Sequence, residues 1–264
     1  MEFTFLGSSG PVPSVARDTT SLVFVGDAGA VLVDCGGSPV QKLRRAGVDP
    51  LSLGHVVVTH LHPDHAYGLP ALVHNLRQLG RVAPLRILCH AEHVEALQTL
   101  LGVFGLWNRR GMFPIEFTAA GDATGAPGLV SGSLALTTAR ADHGRMPNFA
   151  VRIDVARNGD VPSAPRAVVY SSDTAPCPTV VELARGAGTL IHDAMFPERD
   201  RGAYGAHSSA AEAGGVAQEA GVRRLILAHV DASYHGELDA MASEARQRFT
   251  GIVEVAREFE PYPL

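Results

Sequence analysis

Lysine is almost missing from these 264 residues: Lys42 is the only one, and arginine supplies the rest of the positive charge. With 22 basic against 27 acidic side chains the formal net charge is −5. That excludes a basic surface spread over the whole molecule for nucleic acid and leaves room only for a local arginine patch. Cysteine is scarce too. Cys35, Cys89 and Cys177 are far apart, odd in number and never in a C-x-x-C pair, which argues against a disulfide framework or a thiolate zinc knot. They read as small packing residues in a reducing compartment. No uncharged apolar run reaches the roughly 18 residues of a membrane span. Met1 to Gly7 has no basic segment leading into a long apolar run, so no secretory signal is expected. Linker-like runs of Pro, Gly or charge are missing, as is any repeat with a period of about 20–50 residues. What is there, 46% hydrophobic and 19% charged residues, suits a compact fold. The expectation is one soluble, cytoplasmic domain over residues 1–264.

Short β-branched runs at residues 2–6, 21–25 and 30–34, separated by Gly, Pro and Ser clusters, predict an opening sheet. A helical turn or two is expected at 40–45, then a buried strand at 55–59. Apolar residues at Leu69, Leu72, Val73, Leu76 and Leu79 share one face of a helix over 67–79. A strand at 85–89 and a helix at 91–101 follow. Strands are predicted at 134–138, 150–155, 167–171, 189–192 and 224–229, and helices at 179–186, 208–220 and 236–249. Many strands with helices between them suggest two packed sheets with helices on the outer faces.

The strand at 55–59 runs into Thr59-His60-Leu61-His62-Pro63-Asp64-His65, three imidazoles and a carboxylate within six positions. On an extended segment His60 and His62 point the same way, while Asp64 and His65 lie where the chain turns into a helix. Imidazole nitrogen and carboxylate oxygen, at about 2.0–2.2 Å, are ordinary ligands for zinc and also suit iron or manganese. A lone histidine would be read as a satisfied core or surface residue; four clustered donors at a strand end point to metal.

This H-x-H-x-D-H segment resembles the signature of the metallo-β-lactamase superfamily. The resemblance extends over nearly the whole chain, including Leu6-Gly7-Ser8-Ser9-Gly10-Pro11 and Leu32-Val33-Asp34-Cys35-Gly36, and is nearest to the ribonuclease Z and phosphodiesterase branch. It implies a four-layer αβ/βα sandwich of two mixed sheets, with two divalent metals at one edge, zinc first and manganese or iron as alternatives. It implies one metal on His60, His62, His143 and Asp173, and a second on Asp64, His65, Asp173 and His229. A hydroxide bridging the pair would then attack a phosphodiester or related ester. Asp64 and His207 are expected to be catalytic, His207 by donating a proton or holding an oxyanion. Three of these residues have a plainer reading: His143 as an ordinary loop histidine, Asp173 as a cap of the helix after Pro178, and His207 as the start of a helix capped by Ser208 or Ser209.

By the same resemblance Asp34 is a buried carboxylate that orients a ligand, and Asp193 stands where this branch often has glutamate. Ser172 replaces the glycine common before the bridging aspartate. Only 29 residues separate His143 from Asp173, read as a strand, a short loop and a strand, which leaves no room there for the tRNA-binding arm of ribonuclease Z. The expected substrate is a small or short phosphodiester, with no membrane partner and with room for a homodimer. Rival readings are a ribonuclease Z-like endoribonuclease, a mononuclear iron enzyme of the persulfide dioxygenase kind, a β-lactamase or a thioesterase. His55, His74, His90, His93, His192 and His235 are read as structural or surface residues. Residues 104–114, with Trp107, Arg109 and Arg110, are read as a solvated loop anchored by one aromatic, with a phosphate-facing lid as the alternative.

Overall fold

The computed structural model describes residues 1–155, 166–203 and 205–264. The short loop expected between the strands after His143 falls on 156–165, outside the described residues. The first half of the chain gives β1 (Glu2–Gly7), β2 (Ser21–Gly26), β3 (Gly29–Val33), α1 (Pro39–Arg45), β4 (Leu53–Val58), α2 (Pro63–Ala66), α3 (Leu69–Gln78), β5 (Leu85–His90), α4 (Val94–Val103) and β6 (Ile115–Ala120). The second half gives β7 (Ala126–Ser131), β8 (Leu134–Arg140), β9 (Phe149–Val155), β10 (Val168–Tyr170), α5 (Pro178–Ala184), β11 (Thr189–Asp193), α6 (Ala210–Ala220), β12 (Arg224–Ala228), α7 (Leu238–Arg246), β13 (Ile252–Val255) and β14 (Pro261–Pro263).

These strands form two sheets, ordered β14-β1-β2-β3-β4-β5-β6 and β13-β12-β11-β10-β9-β8-β7. Each is mixed. β1 to β3 pair antiparallel before β3 to β6 run parallel, and β7 to β10 pair antiparallel before β10 to β13 run parallel. Alternation along each strand sorts side chains to two faces. In β4, Val57 enters the core between the sheets while Val56 and Val58 face the helices; in β12, Ile226 and Ala228 face inward while Leu225 and Leu227 face outward. Three apolar layers result. One lies between the sheets around Phe3, Phe24, Phe149 and Tyr170, one under α1 to α4, and one under α5 to α7. The expected four-layer αβ/βα sandwich is therefore the observed one. Each fully buried aliphatic or aromatic side chain in these layers contributes about 1.5–3 kcal/mol.

The helix expected over 67–79 is split. α2 ends before Gly68, whose N–H donates to the carbonyl of Cys35 at 2.8 Å, and α3 starts afresh at Leu69. Four strands escaped the sequence pattern: β6 and β7, which edge the two sheets, and β13 and β14 at the opposite edges. Residues 104–114 are largely solvated, as expected, but rest on more than one aromatic. Leu106 and Phe113 are buried, and Trp107 meets Phe117 edge to face at 5.4 Å. The segment leads into the amino end of β6, whereas the His60 segment leaves the carboxyl end of β4, which runs parallel to β5 and β6. It therefore does not face the histidine cluster. No helix among the described residues is long and apolar enough to cross a membrane.

Candidate metal centre

Ligands in open α/β sheets bind outside the carboxyl ends of the strands, where the strand order reverses. That edge of this sandwich collects the polar residues. Asp34 follows β3, the H-x-H-x-D-H segment follows β4, His143 lies beyond β8, Asp173 beyond β10, Asp193 ends β11 and His229 follows β12. Three of these strand ends turn through left-handed backbone at a residue with a side chain: Asp34 (φ 61°), Ser172 (φ 56°) and His229 (φ 59°). Each such conformation costs about 1–2 kcal/mol. Strain clustered in this way is typical of functional sites. At Gly36 the Asp34 turn and α2 pack backbone to backbone, since a Cβ there would lie 2.1 Å from the Asp64 carbonyl oxygen.

All seven expected ligands meet. His62 Nδ1 is 3.1 Å from His60 Nε2 and 3.0 Å from His143 Nε2. Asp173 Oδ2 lies 3.2 Å from His229 Nε2, 3.3 Å from His65 Nε2 and 3.6 Å from His60 Nε2. Asp64 Oδ2 is 3.1 Å from His65 Nε2 and 3.5 Å from His229 Nε2. Two groups of donors suited to an ion result, His60-His62-His143-Asp173 and Asp64-His65-Asp173-His229, with Asp173 common to both.

Carboxylates and carbonyls only accept hydrogen bonds, and this fixes several imidazole tautomers. His65 Nδ1–H donates to Asp34 Oδ2 at 2.8 Å, and His143 Nδ1–H to the Ala206 carbonyl at 3.0 Å. The Nε2 atoms of both rings then face the cluster. Asp34 also accepts from the Thr59 N–H and hydroxyl and from the Tyr170 hydroxyl, so the orienting role expected of it is matched by its contacts. Asp173 Oδ1 is buried with no hydrogen-bond partner, and His65 Nε2 faces only the Asp64 and Asp173 carboxylates. Ring nitrogens facing one another at about 3 Å around unsatisfied carboxylate oxygens fit divalent cations, whose binding removes the unmet polar contacts. The fold and these clusters together make this a divalent-metal-binding centre.

The charges agree. Burial opposes ionisation of Asp173, but the charges of His229 and His65 outweigh it and hold the carboxyl well below its usual range. Burial likewise opposes ionisation of Asp64, and hydrogen bonds to His229 and His65 again outweigh it. Burial and the neighbouring His65 hold the His60 imidazole well below its ordinary value, favouring the neutral form that can ligate.

His207 stands beside the cluster, its ring stacked on His229 at 5.4 Å and edge-on to His143 at 4.9 Å. Its Nδ1 lies 2.8 Å from Asp193 Oδ2. Burial alone would lower its pKa, but the charge and hydrogen bond of Asp193 raise it to about 9. Asp193 thus supports His207 directly. The plainer readings separate cleanly. The helix that starts at Pro178 has Cys177, not Asp173, at its N-cap position, with no side-chain capping bond, and α6 is capped by Ser209 in a capping box with Glu212, so His207 lies outside the helix.

Thr59, Asn148 and Tyr170 touch the centre from behind, and no motif in the sequence flagged them. Asn148 Nδ2 donates to the Asp173 carbonyl at 2.6 Å. His93, read as structural, holds the preceding residue by a 2.9 Å hydrogen bond to the Pro147 carbonyl. Thr59 adjoins His60, which was the one available hint.

A family model described as a beta-lactamase superfamily domain matches residues 30–230. The chain is 30% identical to the ribonuclease Z of Methanothermobacter thermautotrophicus, over 94% of this chain and 92% of the relative. It is 31% identical to the ribonuclease Z of Haloarcula marismortui, over 98% and 95%. Among solved structures, the metallo-beta-lactamase fold protein YhfI from Bacillus subtilis is 26% identical, with a TM-score of 0.81 over 99% of this chain and 98% of that one.

Proposed function

Because the chain belongs to the beta-lactamase superfamily, in its ribonuclease Z branch, and is a hydrolase of that kind, we propose that it cleaves phosphodiester bonds with the help of two divalent cations. His60, His62, His143 and Asp173 hold the first, and Asp64, His65, Asp173 and His229 the second. Zinc suits this set of imidazoles and carboxylates, with manganese and iron as alternatives. The observation that carries the reading is Asp173 Oδ2, a buried oxygen within 3.6 Å of ring nitrogens from His60, His65 and His229. Bound there, paired cations supply Lewis acidity at the phosphoryl oxygens and lower the pKa of water towards neutrality.

The chain's own groups do the rest. Asp64 holds its cation and accepts a hydrogen bond from the attacking water. His207, whose protonated form Asp193 favours, donates its Nε2 proton to the leaving oxygen, which would otherwise depart as an alkoxide. His60, His65 and His229 are buried, while His62 and His207 are part-exposed on the side from which a substrate would approach.

RNA is the substrate class to which the relatives' name points, and a short or small phosphodiester suits this chain better than a long structured RNA. The alignment to the Methanothermobacter relative spans 291 positions, at least 27 more than the chain's 264 residues, so that relative carries segments with no counterpart here. Absence of a tRNA-binding arm, a single domain over residues 1–264, a cytoplasmic setting and a homodimer belong to the same proposal. The test is turnover of bis(p-nitrophenyl) phosphate, a β-lactam and a thioester side by side. Phosphodiester hydrolysis that is lost in His65→Ala and, with an alkyl leaving group, reduced in His207→Ala is expected. Preference for the β-lactam or thioester, or one iron per chain, would replace this reading.

A further inference from the structure

Ser172 adopts a backbone conformation, φ 56°, that glycine would adopt without strain. Its side chain is 1% exposed and wedged between the two sheets' loops. The hydroxyl lies 2.8 Å from Thr59 Oγ1, on the loop after β4, and 3.0 Å from Asn148 Oδ1, at the start of β9. Both neighbours are committed elsewhere. Thr59 Oγ1 is 2.9 and 3.0 Å from the two Asp34 oxygens and gives its proton to that carboxylate. It therefore accepts from His60 Nδ1, 3.2 Å away, which leaves His60 Nε2 unprotonated towards Asp173. Asn148 uses its Nδ2 on the Asp173 carbonyl, so its Oδ1 faces Ser172. The single proton of the serine is shared between these two acceptors, and one hydroxyl thus joins the residue that fixes the His60 tautomer to the residue that holds the Asp173 backbone.

We propose that Ser172 is a positioning residue of the metal centre: its hydroxyl locks His60 and Asp173, which come from opposite sheets, at the spacing that their shared cation requires. The proposal rests on the metal assignment above. It explains why a strained serine occupies a position where glycine would cost less. Each carboxylate or hydroxyl behind a metal ligand sets affinity through that ligand's orientation, and removing one weakens binding by about 10- to 100-fold.

Two substitutions separate positioning from mere packing. Ser172→Ala removes the hydroxyl and keeps the strain; Ser172→Gly removes both. Zinc is titrated into the chelator-stripped wild type and both variants against a chromophoric competitor, and thermal unfolding of the stripped proteins is measured in parallel. The expected result is that Ser172→Gly, stripped, unfolds close to wild type while one of its zinc equivalents binds about 10- to 100-fold more weakly. Ser172→Ala should lose the same affinity and unfold earlier. If Ser172→Ala does not fold, the glycine variant alone decides. Wild-type affinity for both equivalents in Ser172→Gly overturns the proposal and leaves the metal assignment standing. A wild type that binds no zinc, manganese or iron overturns both.

Discussion

Replacing Asp193 by asparagine should move the titration of His207 from the alkaline to the acidic side of neutrality. The substitution keeps the shape and the acceptor for the Thr174 N–H, 3.0 Å from Asp193 Oδ2, and removes only the charge 2.8 Å from His207 Nδ1. In the cation-free protein His207 titrates at about 9, so at about pH 7.5 it is protonated roughly thirty to one. Without the Asp193 charge, burial becomes the dominant influence and pushes the imidazole below 6.5, where at most about a tenth is protonated at that pH. The displacement from 6.5 to about 9 corresponds to roughly 3 kcal/mol, and the His207 side chain is only 13% exposed. Its sign is that of a raised base: the stabilisation is fully present below 6.5 and is lost as pH rises through 9. NMR titration of the stripped protein reads the pKa directly. In the loaded enzyme the cations repel the imidazolium and lower both values, but the order is kept. Hydrolysis of an alkyl phosphodiester at about pH 7.5 should therefore fall at least tenfold in Asp193→Asn and recover towards acid pH. Bis(p-nitrophenyl) phosphate, whose leaving group needs no proton, should lose much less. An unchanged His207 titration, or equal losses on the two substrates, would refute the reasoning.

Asp34→Ala leaves four buried donors, from Thr59, His65 and Tyr170, without their acceptor; zinc affinity should drop about 10- to 100-fold and urea-measured stability by at least about 3 kcal/mol. Leu72→Ala, in the fully buried layer under α3, should cost about 2–5 kcal/mol, while kcat of the folded fraction stays at the wild-type value. Burial pushes the Cys35 and Cys89 thiols up to about 12. Iodoacetamide at about pH 8 should therefore label only half-buried Cys177 in the folded protein, one adduct by intact mass, with three after denaturation.

The sequence was most legible where one local rule sufficed. β4 and β12 are apolar runs buried on both faces, and the H-x-H-x-D-H segment carries four donors within six positions. The edge strands were hidden because a strand wet on one face loses its apolar run. β6 and β7 alternate exposed and half-buried positions, and Pro127, Pro261 and Pro263 read as loop although an edge strand tolerates proline. The distant ligands His143, Asp173 and His229 were placed by resemblance, since no spacing rule connects residues that meet only when two sheets pack. The residues behind them were least legible. Asn148 and Tyr170 look like ordinary loop and strand residues until the fold sets one against the Asp173 carbonyl and the other against Asp34. Ser172 stood out as a departure from glycine; the structure shows a left-handed backbone and a hydroxyl set between two acceptors.

The central claim is that seven side chains from four strand ends converge on a pair of cations that share Asp173. Equilibrium dialysis of the stripped protein against zinc, with elemental analysis of wild type and Asp173→Ala, tests it most directly. The account predicts two equivalents per wild-type chain, with phosphodiester hydrolysis returning as they bind, and loss of both high-affinity equivalents in Asp173→Ala. Full activity with one equivalent or none, or two tight equivalents retained by Asp173→Ala, would contradict it.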